Sequence, residues 1–138
     1  MPELPFKILG IEHVGIAVDD LNGISDVFGD LLGLKLRSRE KIDDQQVITD
    51  IYETGSGKLE FLKATDKNSP ISRFIDKKGK GIHHIALKVD NLQAALDYLK
   101  GQGTQLIDTS PRIGAEGFKI AFLHPKSTGG VLIELCEK

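Results

Sequence analysis

The chain has 138 residues, with 18 Lys plus Arg against 20 Asp plus Glu, one cysteine and no tryptophan. That length suits one domain, or two very small halves sharing a core, and the net charge of −2 argues against the broad basic footprint of a nucleic-acid binder. Cys136 alone closes no intramolecular disulfide, which fits the reducing cytoplasm, and with no basic leader and no run near ~18 apolar residues we expect neither a signal peptide nor a membrane partner.

In chain order, the first element is a strand over His13–Val18. Side chains alternate across a strand, so Val14, Ile16 and Val18 share one face while His13, Gly15 and Ala17 share the other. The bulky face should meet packing partners, and the small residues leave room beside the imidazole. Asp19-Asp20 offers N-cap chemistry, and Leu21, Ile24, Val27, Phe28, Leu31 and Leu32 follow at helical spacing up to a stop at Gly33. Strands are expected over Leu34–Arg37, Gln46–Glu53 and Lys58–Lys63, the last two separated by Gly55-Ser-Gly57. An insertion, Ser69–Gly81, has Pro70 at a helix start and Ile71, Phe74 and Ile75 at helical spacing. It reads as a short helix ahead of a solvated connector bearing Lys77, Lys78 and Lys80.

The chain then repeats itself. His13-Val-Gly-Ile-Ala-Val-Asp-Asp-Leu21 matches His84-Ile-Ala-Leu-Lys-Val-Asp-Asn-Leu92 at an offset of 71 residues. Two copies are too few for a solenoid, so the pattern means a duplicated half-domain. Helical spacing recurs at Leu92, Ala95, Leu96 and Leu99, and strands are expected over Thr104–Asp108, Lys119–Leu123 and Gly130–Cys136. Each half therefore reads as strand, helix and three strands. The boundaries fall at about 8–66 for the first module, 67–81 for the connector and 82–138 for the second.

The last strands match too, Leu59-Glu-Phe-Leu62 against Ile133-Glu-Leu-Cys136. If Leu59 and Phe61 face the helix, parity turns Glu60 to the histidine face, and Ile133 and Leu135 turn Glu134 the same way. Each half then offers one His and one Glu, which makes a mixed N/O site suited to Co, Ni, Mn, Fe or Zn. Any one of these residues is more simply read as ordinary; four at equivalent places of a duplicated frame are not. His83 has the opposite parity and should face the helix layer in a structural role. His124 reads equally as a turn residue or a substrate contact, and Cys136 as a small apolar filler.

With these residues in view, the chain resembles the epimerases of the vicinal oxygen chelate superfamily that act on methylmalonyl-CoA. The superfamily also holds glyoxalase I and ring-cleaving dioxygenases. The resemblance runs from Ile11 to Glu137 and is carried by Ile11-Glu-His-Val-Gly-Ile-Ala-Val18, Asn68-Ser-Pro-Ile-Ser-Arg-Phe-Ile75, Gly79-Lys-Gly-Ile-His-His-Ile-Ala86 and Phe122-Leu-His-Pro-Lys-Ser-Thr-Gly-Gly-Val-Leu-Ile-Glu-Leu135. It implies an α+β fold, two tandem βαβββ modules in a curved mixed sheet with helices on the outer face and a metal on the concave face, and a homodimer. It also implies metal ligands at His13, Glu60, His84 and Glu134, and a divalent ion, most often cobalt, with zinc, nickel or manganese as alternatives. Glu134 and Glu60 become the catalytic pair for an acyl-CoA substrate, and Lys126 and His124 substrate contacts. One departure stands out: where some members carry a catalytic glutamate in the second strand, this chain has Thr49, with Asp50 on the opposite face. Glyoxalase I and a metal-free resistance protein of the same fold are the competing readings.

Overall fold

The computed structural model describes residues 3–138. They form two compact units, one of residues 13–83 and one that joins residues 3–12 to residues 84–138. The cut passes through two strands, β1 (Ile8–Val18) and β5 (Gly81–Val89).

In the first unit, residues 13–18 of β1 pair in parallel with β4 (Lys58–Ala64), which pairs antiparallel with β3 (Val47–Glu53), which pairs antiparallel with β2 (Lys35–Ile42). Asp20 caps α1 (Leu21–Ile24), accepting from the N–H groups of Asn22 and Gly23 as its sequence position promised. The helix then continues as a π-helical segment, Ser25–Leu31, in which the Leu32 N–H reaches the Val27 carbonyl at 2.8 Å. That wider winding turns the apolar stripe off the sheet. Leu21, Ile24 and Phe28 pack against Val18, Tyr52 and Phe61, whereas Val27, Leu31 and Leu32 face solvent instead of completing the expected face. Gly33, at φ 74°, ends the helix in the left-handed conformation that favours glycine.

The opposite face of this sheet is also covered. Helix α2 (Pro70–Lys78) starts at the Ser69 cap, with Pro70 in the first turn, and lays Ile71 against Ala17, Val47 and Leu62. So the small-residue face of β1 is its deeply buried one: His13, Gly15 and Ala17 are buried while Val14 and Ile16 are only half-buried. The connector is thus a packed helix, with Lys77 and Lys78 in its last turn, where cations complement the helix dipole. Lys80 pairs with Asp19 at 3.6 Å.

The second unit repeats the pattern with β5 in parallel with β8 (Ile133–Glu137), then β7 (Lys119–Leu123) and β6 (Arg112–Ile113) antiparallel. Helix α3 (Leu92–Gly101) is capped by Asn91, which accepts from the Ala94 N–H. The strand expected at Thr104–Asp108 does not form. Only Leu106 makes an isolated bridge, to Leu123, and the edge strand is instead Arg112–Ile113, because Asp108 turns its carboxylate back onto the Phe122 N–H at 2.8 Å.

The unit boundaries differ from the sequence reading at the N-terminus. Phe6 inserts into the core of Val89, Leu92, Leu96, Ala121 and Leu135 and tilts against Tyr98, and Lys7 exchanges backbone and side-chain hydrogen bonds with Asp90. Residues ahead of the first repeat therefore serve the second. Phe6→Ala should cost about 3 kcal/mol and lower the melting temperature by roughly 10 °C, measured by calorimetry, with the far-UV spectrum unchanged.

Candidate metal and catalytic site

Glu60 and Glu134 face the same side of their strands as His13 and His84, respectively, and each half closes an imidazole–carboxylate pair. On β1 and β4 the residue across from Glu60 is Gly15, which places His13 one diagonal step away. Diagonal neighbours on adjacent strands stand roughly 7–8 Å apart, within reach of long side chains, and Gly15 puts nothing bulky between them. His13 Nδ1 lies 3.0 Å from Glu60 Oε2. In the second unit Ala86 takes the place of Gly15 across from Glu134, and His84 Nε2 lies 3.3 Å from Glu134 Oε1. All four residues are buried, none more than 5% exposed. Charges removed from water to this degree are kept only when paired or ligating.

The donors fit a divalent transition metal. Two ligand atoms on one ion, each bonded at about 2.1 Å, stand about 3.0–3.4 Å apart in octahedral or tetrahedral geometry, the separation found within both pairs. Neutral imidazole and carboxylate are the donor types such ions take.

The neighbours of each pair differ. His84 meets the Phe122 ring edge-on at 5.5 Å, and Phe122, across from Glu134 in the sheet register, carries the Arg112 guanidinium 5.6 Å above its centroid. Periodicity gave Phe122 no role beyond a strand position; its place beside His84 follows from the pairing of β7 with β8. In the first unit the matching residue is Ile51, across from Glu60. Thr49, two residues back, has no exposed surface, and its hydroxyl has no hydrogen-bond partner among the described residues. Asp50 points to the opposite face, as its parity required, and is held by Arg39 at 2.6 and 2.9 Å, which raises the Arg39 pKa still further.

The two residues expected to contact substrate, His124 and Lys126, lie elsewhere in the second unit. His124 Nδ1 accepts the Lys126 N–H at 3.1 Å and caps the short turn Pro125–Ser127, so its first role is that of a turn residue; Lys126 itself is exposed. Cys136 is buried among Ala86, Ile120 and Phe122 as a filler, with Sγ 3.5 Å from the Leu87 carbonyl.

The family model described as "Glyoxalase/Bleomycin resistance protein/Dioxygenase superfamily" matches residues 12–122. The chain belongs to this superfamily. Among its relatives, the mitochondrial methylmalonyl-CoA epimerase of Mus musculus is 36% identical over 131 residues, 94% of this chain and 74% of that protein. The uncharacterized protein YqjC of Bacillus subtilis is 42% identical over 127 residues, 92% of this chain and 91% of that one. The crystal structure of methylmalonyl-CoA epimerase from Mycobacterium tuberculosis superposes with a TM-score of 0.90 at 37% identity, covering 94% of this chain and 88% of that one. The fold is therefore the glyoxalase fold built from two βαβββ modules. No helix among the described residues is long and apolar enough to cross a membrane.

His83 faces α2, its ring edge-on to Phe74 at 4.9 Å, consistent with its parity. Burial, followed by the nearby Lys78 charge, pushes its pKa down to about 4. A His that is neutral when folded and protonates near its usual value of about 6.5 when unfolded stabilises the protein fully only above the unfolded pKa. Between pH 6.5 and 4 the unfolded state binds more protons, so stability falls as pH falls. Denaturant titrations with EDTA present should show this slope, worth at most about 3 kcal/mol, and His83→Gln should flatten it.

Proposed function

We propose that this protein is a methylmalonyl-CoA epimerase that interconverts the (R) and (S) forms by removing and replacing the α-proton. One observation carries the reading: a buried His–Glu pair recurs at the matching place of each half, on a fold whose relatives carry that name. The α-hydrogen lies between a thioester and a carboxylate, so its removal leaves charge on the thioester oxygen. We infer that His13, Glu60, His84 and Glu134 hold one divalent ion, cobalt first and zinc, nickel or manganese as alternatives. When bound, it supplies Lewis-acid stabilisation of the enolate oxygen.

The residues of the chain do the rest. Inversion needs a proton taken from one side of the carbon and delivered to the other, and Glu134 and Glu60 are the pair assigned to it. Their histidine partners orient the carboxylates, and burial keeps water from competing for the proton. Lys126, exposed on its turn, is assigned to the phosphates of the CoA moiety, with His124 shaping that turn. The rest of the reading is a homodimer in the cytoplasm, with no nucleic-acid or membrane partner.

Purified protein should racemise methylmalonyl-CoA and leave methylglyoxal plus glutathione unconsumed; the reverse result would replace the epimerase reading with a glyoxalase I reading. Protein purified without chelator should contain a divalent metal, and EDTA should abolish turnover until cobalt or zinc is restored. Absence of metal with no activation by either ion would favour a binding protein. Glu134→Gln should stop exchange of the α-proton with deuterated water without unfolding the protein, and exchange at the wild-type rate would remove Glu134 from the mechanism. Lys126→Ala should weaken CoA-ester affinity several-fold at low salt, and by less at high salt.

A further inference from the structure

The duplication makes the two carboxylates look alike, yet their surroundings differ at one place. On each adjacent strand Glu60 has one diagonal neighbour that is both polar and buried, on the same face of the sheet. On β1 it is His13, which pairs with Lys58, two residues toward the start of β4; on β3 it is Thr49, which pairs with Leu62, two residues toward the end. The two steps have the same form in opposite directions. The Glu60 side chain already spans one of them, to His13 at 3.0 Å. At the end of the other waits the Thr49 hydroxyl, fully buried and without a partner among the described residues. A hydroxyl out of water and unpaired is unfavourable, and a native fold keeps one where some state of the protein satisfies it.

The carboxylate on the far side of Thr49 does not account for it. Glu40, across from Thr49 on β2, is half-buried and engages Ser38 Oγ at 3.4 Å. In the second unit the matching position, across from Cys136 on β7, is Ile120, which has no polar group. Among buried polar residues, Glu134 thus has one diagonal neighbour, His84, and Glu60 has two, His13 and Thr49.

We propose that Thr49 is a positioning residue for Glu60: its hydroxyl donates to the Glu60 carboxylate in a second orientation of that side chain, turned away from His13. Glu60 then works as a two-position carboxylate, while Glu134 is held in one. In the first position Glu60 belongs to the ligand set. In the second it is released from the imidazole and held by a neutral donor, free to take or return a proton. This rests on the epimerase reading and deepens it, because it gives the two symmetry-related glutamates different duties. It also explains why a buried strand position carries threonine where an isosteric valine would pack as well at no polar cost.

The test compares wild type, Thr49→Val and Thr49→Ser in racemisation, thermal unfolding and cobalt titration. Thr49→Val should lower kcat at least tenfold with KM for methylmalonyl-CoA unchanged within twofold. Its melting temperature should equal or exceed that of wild type, and its cobalt affinity should not weaken, since Glu60 stays in its first position. Thr49→Ser should keep most of the activity. In a Glu60→Gln background, Thr49→Val should cost nothing further. A Thr49→Val protein that turns over at the wild-type rate overturns the inference, as does a full second loss in the Glu60→Gln background. If Val is not tolerated, the Ser and Ala variants, which differ only in the hydroxyl, give the same comparison. Wild-type protein inactive on methylmalonyl-CoA would instead overturn the epimerase reading itself.

Discussion

A carboxylate kept out of water beside an imidazole is the constraint on which the rest of the structure turns, and the molecule meets it twice. An isolated buried charge costs far more than any single packing contact returns, so the partner must arrive with good geometry. Here it arrives through sheet register. The parallel pairing of β1 with β4, and of β5 with β8, fixes Gly15 across from Glu60 and Ala86 across from Glu134, and the histidines follow one diagonal step away. A slip of one residue in either register would turn the glutamate to the opposite face. The apolar cores on the two faces therefore do more than stabilise the sheet. They hold the register on which the polar pairs depend.

The cost of packing that site shows in the elements around it. The histidine face of the first unit is closed at one end by α2, whose Ile71 covers Ala17, Val47 and Leu62, so Thr49 lies on the same face between that apolar lid and the Glu60 row. On the other face, the π-helical winding after α1 leaves Leu31 and Leu32 in solvent, 79% and 61% exposed. The Arg39–Asp50 pair ties β2 to β3 by two hydrogen bonds and keeps Asp50, buried beneath the sheet, from standing uncompensated.

Duplication gives the two halves the same frame and leaves the side chains around each pair free to diverge. Phe122 braces His84 in the second unit, where the first has Ile51, and Ile120 stands where the first has Thr49. The frame is shared, and the side chains beside each carboxylate are not.

The sequence by itself determined the repeat, the two His–Glu pairs, the helix caps at Asp20 and Asn91 and the structural place of His83. Each rests on a local rule: alternation along a strand, spacing along a helix, or a side chain that satisfies its own backbone. It could also assign Glu60 and Glu134 to a face, because parity is a property of neighbouring residues. Tertiary structure decided the rest. Thr104–Asp108 has strand-like composition, but the edge of the sheet was taken by Arg112–Ile113 once Asp108 had bonded the Phe122 backbone. Phe6 precedes the first repeat yet packs in the second unit, since contact between distant segments leaves no periodic trace in either one. For the same reason the unpaired Thr49 hydroxyl appears only when the strands on both sides of it are in register, and with it the difference between two glutamates that the sequence had made equivalent.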